Sequence, residues 1–200
     1  MRRSILLIIV GGFLLGAILG AGFLILNTNM PPRVETSGKA LIGGPFTLLG
    51  KDGSTVTDKV FRGKYMLVFF GYTHCPDICP AELQVMAAAL DGLDKKEADK
   101  VIPIFITVDP ERDTPRVVAD YVMNFGPRFV GLSGTPEEIA KAAKAYRVTY
   151  DKHPADDGSG NYSVDHSAIA YLMGPDGQFI THIPYGTPAP KMTEILRRYL

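Results

Sequence analysis

Tyr65–Gly71 reads YMLVFFG and runs directly into Tyr72-Thr73-His74-Cys75-Pro76-Asp77-Ile78-Cys79-Pro80. An unbroken apolar run, without the alternation of a half-exposed strand, predicts a strand buried on both faces. The cysteine-bearing loop behind it leads into a helix expected over about residues 80–90, with Pro80 at the first helical position. Strand, loop and helix open a parallel-sheet unit, and ligand sites in such sheets lie at the carboxyl ends of central strands. The two cysteines fall at that end.

Working outward, residues 101–108 (VIPIFITV) repeat the pattern of a buried strand. Thr114-Pro115 opens a helix to about Phe125, and Thr135-Pro136 with Glu138 three residues on opens another. A short strand is expected near residues 147–150, then a polar loop. Residues 168–173 and 178–183 flank Pro-Asp-Gly as a hairpin, and 191–200 form a closing helix. Upstream, 46–49 and 54–57 flank Lys-Asp-Gly as an N-terminal hairpin. Parallel-type strands with crossover helices, followed by an antiparallel hairpin and a last helix, predict an α/β sandwich with a mixed central sheet.

The first 40 residues read differently. Residues 5–26 are an uncharged, mostly apolar run preceded by Arg2 and Arg3, and about 20 such residues cross a bilayer as a helix. Cationic flanks stay cytoplasmic, so residues 1–4 are expected inside, 5–26 as a single-pass anchor, and the rest on the far side, the periplasm in a bacterium. A cleaved signal peptide has a shorter apolar region, about 7 to 15 residues, and a small-residue cleavage site, whereas this run ends in Leu-Asn-Thr-Asn. A twin-arginine signal fits poorly because apolar residues begin almost at once after Arg3. Glycines at 12, 16 and 20 have the spacing of helix pairing in membranes, although glycine is common in such helices without it. Residues 27–40, with Pro31 and Pro32, read as a linker to one domain at 41–200.

Lysine plus arginine equals aspartate plus glutamate, at 21 each, so the bulk charge gives no sign of a nucleic-acid partner. The only two cysteines lie four positions apart, too close for a disulfide between them to staple a large loop. Their role is chemical. A helix N-terminus favours an anion, so Cys79 at or near the cap is expected to be a stabilised thiolate, with Cys75 approaching from the strand side. One residue more than a Cys-x-x-Cys redox turn leaves room for an ion, and two thiolates with an imidazole suit copper or zinc. His166, in Val164-Asp165-His166-Ser167, is the best third ligand; without a wider pattern, a hydrogen-bonded loop histidine is an equal reading.

The wider pattern is present. Cys-Pro-Asp-Ile-Cys-Pro after Gly-Tyr-Thr, Thr-Val-Asp-Pro-Glu-Arg-Asp-Thr-Pro at 107–115 and Asp-His-Ser at 165–167 occur in the order found in the Sco/SenC proteins, which this chain resembles from about residue 42 to 200. The resemblance implies a thioredoxin-like three-layer fold and binding of one Cu(I) or Cu(II) by Cys75, Cys79 and His166. It also implies a metallochaperone role in assembling the dinuclear copper centre of cytochrome c oxidase. The expected partners are then the copper-bearing oxidase subunit and other copper chaperones.

Other residues have plainer readings. His74 points away from Cys75 on a strand end and is expected as a support. His153 and His182 are expected at the surface or in packing, and Asp77 and Asp109 as turn and strand-end residues before ligands. Met66, Met86, Met123 and Met173 sit in apolar periodic segments and are expected in the core. Two other classes of function compete. A thiol-disulfide oxidoreductase would use Cys75 and Cys79 as its redox-active pair, yet thioredoxin-like reductases face their dithiol with a cis-proline where this chain has Asp-His-Ser. A redox or copper sensor would use the same pair as a switch. A peroxidase would call for threonine where Tyr72 stands, and is rejected.

Overall fold

The computed structural model describes residues 41–155 and 161–200. The expected residues 1–4, membrane helix 5–26 and linker 27–40 lie outside the described residues. Among the described residues no helix is long and apolar enough to cross a membrane.

Strands β1 (Thr47–Leu49) and β2 (Thr55–Thr57) pair antiparallel as the expected N-terminal hairpin, its turn carried by Gly53 at φ +79°. Then follow strand β3 (Tyr65–Gly71), helix α1 (Ile78–Asp91), a single turn α2 (Lys95–Ala98), strand β4 (Val101–Thr107) and helix α3 (Pro115–Val122). After them come strand β5 (Val130–Leu132), helix α4 (Pro136–Ala145), strands β6 (Tyr150–Pro154), β7 (Tyr162–His166), β8 (Ile169–Met173) and β9 (Phe179–Pro184), and helix α5 (Ala189–Arg197). The central sheet has the order β5-β4-β3-β8-β9. β3, β4 and β5 run parallel, while β8 pairs antiparallel with both β3 and β9, which makes the sheet mixed as the sequence predicts.

β3 sits in the middle because it can be buried on both sides: Leu67, Val68, Phe69 and Phe70 are all fully buried. Side chains alternate along it. Phe69 faces Phe105, its register partner on β4, and Phe105 meets Tyr121 of α3 at 5.7 Å. Phe70, on the opposite face, meets Tyr146 at the end of α4 at 5.2 Å. Helices α1, α3 and α5 thus cover one face and α4 the other, giving three layers. Each large aromatic side chain so buried contributes about 2 to 3 kcal/mol. Local signals agree with this packing: Thr114 accepts from the Val117 amide, and Thr135 and Glu138 cap each other reciprocally.

The structure departs from the sequence reading at four places. Helix α1 begins at Ile78 and not at Pro80, because the Ala81 amide already reaches the Asp77 carbonyl at 3.1 Å. A proline within the first turn lacks only an amide that has no partner there anyway. Strand β5 was not foreseen: three residues with Gly131 in the middle carry no periodicity. The strand expected near residues 147–150 begins only at Tyr150, and residues 151–167, expected as a polar loop, carry the rest of β6 and all of β7, a two-stranded arm hydrogen-bonded to itself and not to the central sheet. Met123 is half exposed and not core, since α3 stops at Val122 and the following 3-10 turn rotates it off the inward stripe.

Candidate metal centre

Gly71 ends β3 at the point where Cys79 approaches. A Cβ at Gly71 would stand 2.6 Å from Cys79 Sγ and 2.9 Å from Phe105 Cε2, so only glycine admits the sulfur here. The chain leaving β3 is tied down at once. The Thr73 amide and hydroxyl both donate to the Asp113 carboxylate, at 2.9 and 2.5 Å, and the Thr107 hydroxyl at the end of β4 donates to it at 2.7 Å. Asp113 is fully buried. A buried carboxylate with three donors locks the loop to the strand end, since charge-assisted hydrogen bonds are the strong ones.

On that support the three expected donors converge. Cys75 Sγ, Cys79 Sγ and a His166 ring nitrogen lie within 4.8 Å of one another. The Cys79 amide donates to Cys75 Sγ at 3.3 Å, and Cys79 Sγ lies 3.3 Å from His166 Nε2. His166 Nδ1 donates to the Ser167 carbonyl at 3.3 Å, which leaves the Nε2 lone pair turned toward the sulfurs. The imidazole is held edge-on by Phe69 and Tyr72, with ring centroids 5.9 and 6.0 Å away. Both cysteines are free thiols.

The sulfurs are not equivalent. A hydrogen bond from the Cys79 side chain holds the Cys75 thiol well below its ordinary range, outweighing burial, with further help from the amides of Cys79 and Asp77. Cys79 is pushed the other way, by its hydrogen bond to Cys75 and then by complete burial. The helix amide that stabilises a thiolate therefore serves Cys75. The expectation that Cys79 would be the cap thiolate is corrected, because α1 starts earlier and carries Cys79 inward as its second residue.

Two soft sulfurs and one imidazole suit a single copper ion, and three donors this close together can reach one ion. A groove of about 480 Å³, lined by Tyr72, Cys75, Pro76, Ile78 and the β7 residues Val164 and His166 among others, opens beside them.

The remaining candidates lie elsewhere. His74 is exposed, near Thr73 and Asp113 and outside the donor cluster. His153 pairs with Asp165 at 3.2 Å, and His182 stacks on Phe179. Asp77 is exposed at the start of α1. Asp109 is fully buried and accepts from Arg112 and, at 2.7 Å, from the Tyr162 hydroxyl, so its oxygens are engaged in structure. Met66, Met86 and Met173 are buried. Sequence reasoning missed Asp113, Arg112, Tyr72 and Tyr162. The signal for the first two was the run Asp-Pro-Glu-Arg-Asp directly after a buried strand, where charges must find partners.

Fold and site together define a thioredoxin-like protein with a two-cysteine, one-histidine centre at the carboxyl end of its middle strand. Residues 34–200 match the SCO1/SenC family, and the chain belongs to it. The SCO1 homologue 1 of Arabidopsis thaliana is 50% identical over 145 residues, which cover 72% of this chain and 43% of that protein. The chain spans between 43% and 60% of the length of this and the other first curated relatives that it matches. Among solved structures, copper-bound ScoI of Bradyrhizobium japonicum is 48% identical with a TM-score of 0.71, covering 80% of this chain and 99% of that one. BsSco, described as a member of the Sco family of cytochrome c oxidase assembly proteins with a disulfide switch, is 25% identical with a TM-score of 0.61, covering 80% and 95%.

Proposed function

We propose that this chain is a copper metallochaperone that carries one Cu(I) or Cu(II) between Cys75, Cys79 and His166 and delivers it during assembly of the dinuclear copper centre of cytochrome c oxidase. The observation that carries it is the convergence of two sulfurs and a distant imidazole beside an open groove. Copper bound to a relative 48% identical supports the choice of metal, and the description of BsSco supports the assembly role. Cargo must leave as well as bind, and Cys75, partly exposed on a loop, offers a partner's ligand a place to attack. The partners would be the copper-bearing oxidase subunit and other copper chaperones. The apolar run at 5–26 behind two arginines would anchor the chain in the cytoplasmic membrane with the domain in the periplasm.

A second reading rests on the low-pKa Cys75. Its thiolate would attack a disulfide of the copper acceptor, releasing one partner thiolate and forming a mixed disulfide. Cys79 would then displace the second partner thiol and leave a Cys75–Cys79 disulfide, so that two electrons pass to the partner.

The test is metal analysis and absorption spectroscopy of the reduced, purified chain with Cu(II). A sulfur-to-Cu(II) charge-transfer band at one ion per chain is expected, lost in Cys75→Ser, with affinity falling by orders of magnitude in His166→Ala. A chain that binds no copper yet reduces a partner disulfide would favour the second reading.

A further inference from the structure

The arm that carries His166 is not part of the central sheet. β7 pairs only with β6, in a register that sets Tyr150 opposite His166 and Pro154 opposite Tyr162. The bonds from the Ser167 amide to the Thr149 carbonyl and from the Ala155 amide to the Asn161 carbonyl fix which groups face inward to β6. Residues 161, 163, 165 and 167 turn their backbone groups to β6, and Tyr162, Val164 and His166 turn theirs away from it. Among the described residues no strand meets that outer edge; side chains of the body do. Arg112 Nη1 donates to the Tyr162 carbonyl at 2.9 Å, and the Tyr72 hydroxyl lies against the Val164 backbone amide.

Arg112 is the hub of this fastening. Its Nε donates to the buried carboxylate of Asp109, just beyond β4, and the same carboxylate accepts from the Tyr162 hydroxyl at 2.7 Å. The guanidinium stacks over the Tyr162 ring at 3.6 Å and stands 5.6 Å from the Tyr72 ring. The Tyr72 ring in turn meets the His166 imidazole edge-on. From β6, Lys152 adds a bond to Glu111 at 2.8 Å and lies 3.7 Å from Asp109. One nitrogen of the clasp, Arg112 Nη2, is buried without a hydrogen-bond partner among the described residues. Water would satisfy it once the arm lifts, which lowers the free-energy cost of opening.

We infer that Arg112, with Asp109 and Tyr162, is a positioning residue for the metal centre: it clasps the β6–β7 arm to the body and so sets His166 against the two sulfurs, without touching the ion. This inference rests on His166 being a copper ligand. Two thiolates alone suffice for Cu(I), whereas Cu(II) needs the harder imidazole, so the clasp matters for Cu(II) and little for Cu(I).

The experiment measures both affinities by chelator competition on the full chain, for Arg112→Gln, Arg112→Lys and Tyr162→Phe, each alone and with His166→Ala. Arg112→Gln should weaken Cu(II) about 10- to 100-fold, the range for groups that orient a ligand, and move the charge-transfer band. Arg112→Lys, which keeps the charge but not the planar fork, should recover part of the loss. Cu(I) affinity should move by less than about threefold, since neither sulfur depends on the arm. With His166 already removed, Arg112→Gln should cost Cu(II) nothing more, because its effect passes through that ring. Equal losses for both oxidation states, a loss that persists without His166, or an unchanged Cu(II) affinity would each overturn the inference. If Arg112→Gln does not fold, Tyr162→Phe loses only one hydroxyl and carries the same comparison. An unaltered Cu(II) affinity in His166→Ala alone would sink the ligand set and the clasp with it, while a loss there with none in the Arg112 variants would sink the clasp alone.

Discussion

Gly71→Ala is a small change with two separable consequences. The added Cβ would lie 2.6 Å from Cys79 Sγ and 2.9 Å from a Phe105 ring carbon. Ordinary contact needs a further ~1 Å on the sulfur side, and neither neighbour has free space because both are fully buried. Overpacking of this kind costs about 1 to 3 kcal/mol of stability. The sulfur also has to withdraw, and a ligand moved by several times the ~0.2 Å tolerance of a metal site should lower copper affinity about 10- to 100-fold. Gly131→Ala is the control, because its Cβ would meet the Val118 carbonyl oxygen at 2.8 Å on edge strand β5, two strands from β3. Urea unfolding and copper titration of both variants are the assay. Both should lose stability, and only Gly71→Ala should lose copper. Wild-type affinity in Gly71→Ala, or an equal loss in Gly131→Ala, would refute the placement of Cys79 Sγ as a ligand fixed by its wall.

Glu82 on α1 is 1% exposed, one of its carboxylate oxygens has no partner among the described residues, and burial pushes its carboxyl up to about 7. A carboxyl raised on folding penalises the native state as pH climbs, with no cost below the unfolded value near 4.5 and the full cost above 7. Glu82→Gln should therefore stabilise the chain by about 3 kcal/mol at pH 8 and leave it unchanged near pH 4, and a difference independent of pH in thermal unfolding would count against it. Oxidation by diamide, which takes two electrons and two protons from Cys75 and Cys79, should abolish copper uptake until a dithiol reductant restores it; one-to-one binding by the disulfide form would contradict thiolate ligation.

The parts of this fold legible in the sequence are those with a period or a cap. The unbroken run Tyr65–Gly71 announced a doubly buried strand, and Thr-Pro pairs announced α3 and α4. β5 was not legible because Val-Gly-Leu has neither length nor alternation; its place comes from pairing with β4. The β6–β7 arm was hidden for a different reason. Its strands read as polar because one edge and one face of the arm are met by side chains of the body and not by a second sheet. The pairing of Cys75 with Cys79 followed from spacing, but which sulfur is the thiolate turned on a two-residue shift in the start of α1. Such a shift is below what capping signals resolve.

On the copper-carrier reading, the three donors differ in how firmly they are supported, and that difference orders their exchange. Cys79 is held by helix α1 in the core and walled by Gly71 and Phe105. Cys75 is on a loop tied one step away through Thr73 to Asp113, and its thiolate is partly exposed. His166 is on an arm fastened to the body by side chains. Elements secured by few contacts open most readily, so the imidazole is the ligand a partner displaces first. Cys75 then faces the incoming thiol, and Cys79, fully buried, is the last to let go. Copper is thus peeled from the outside of the domain inward, and no unfolding of the core is needed for its release.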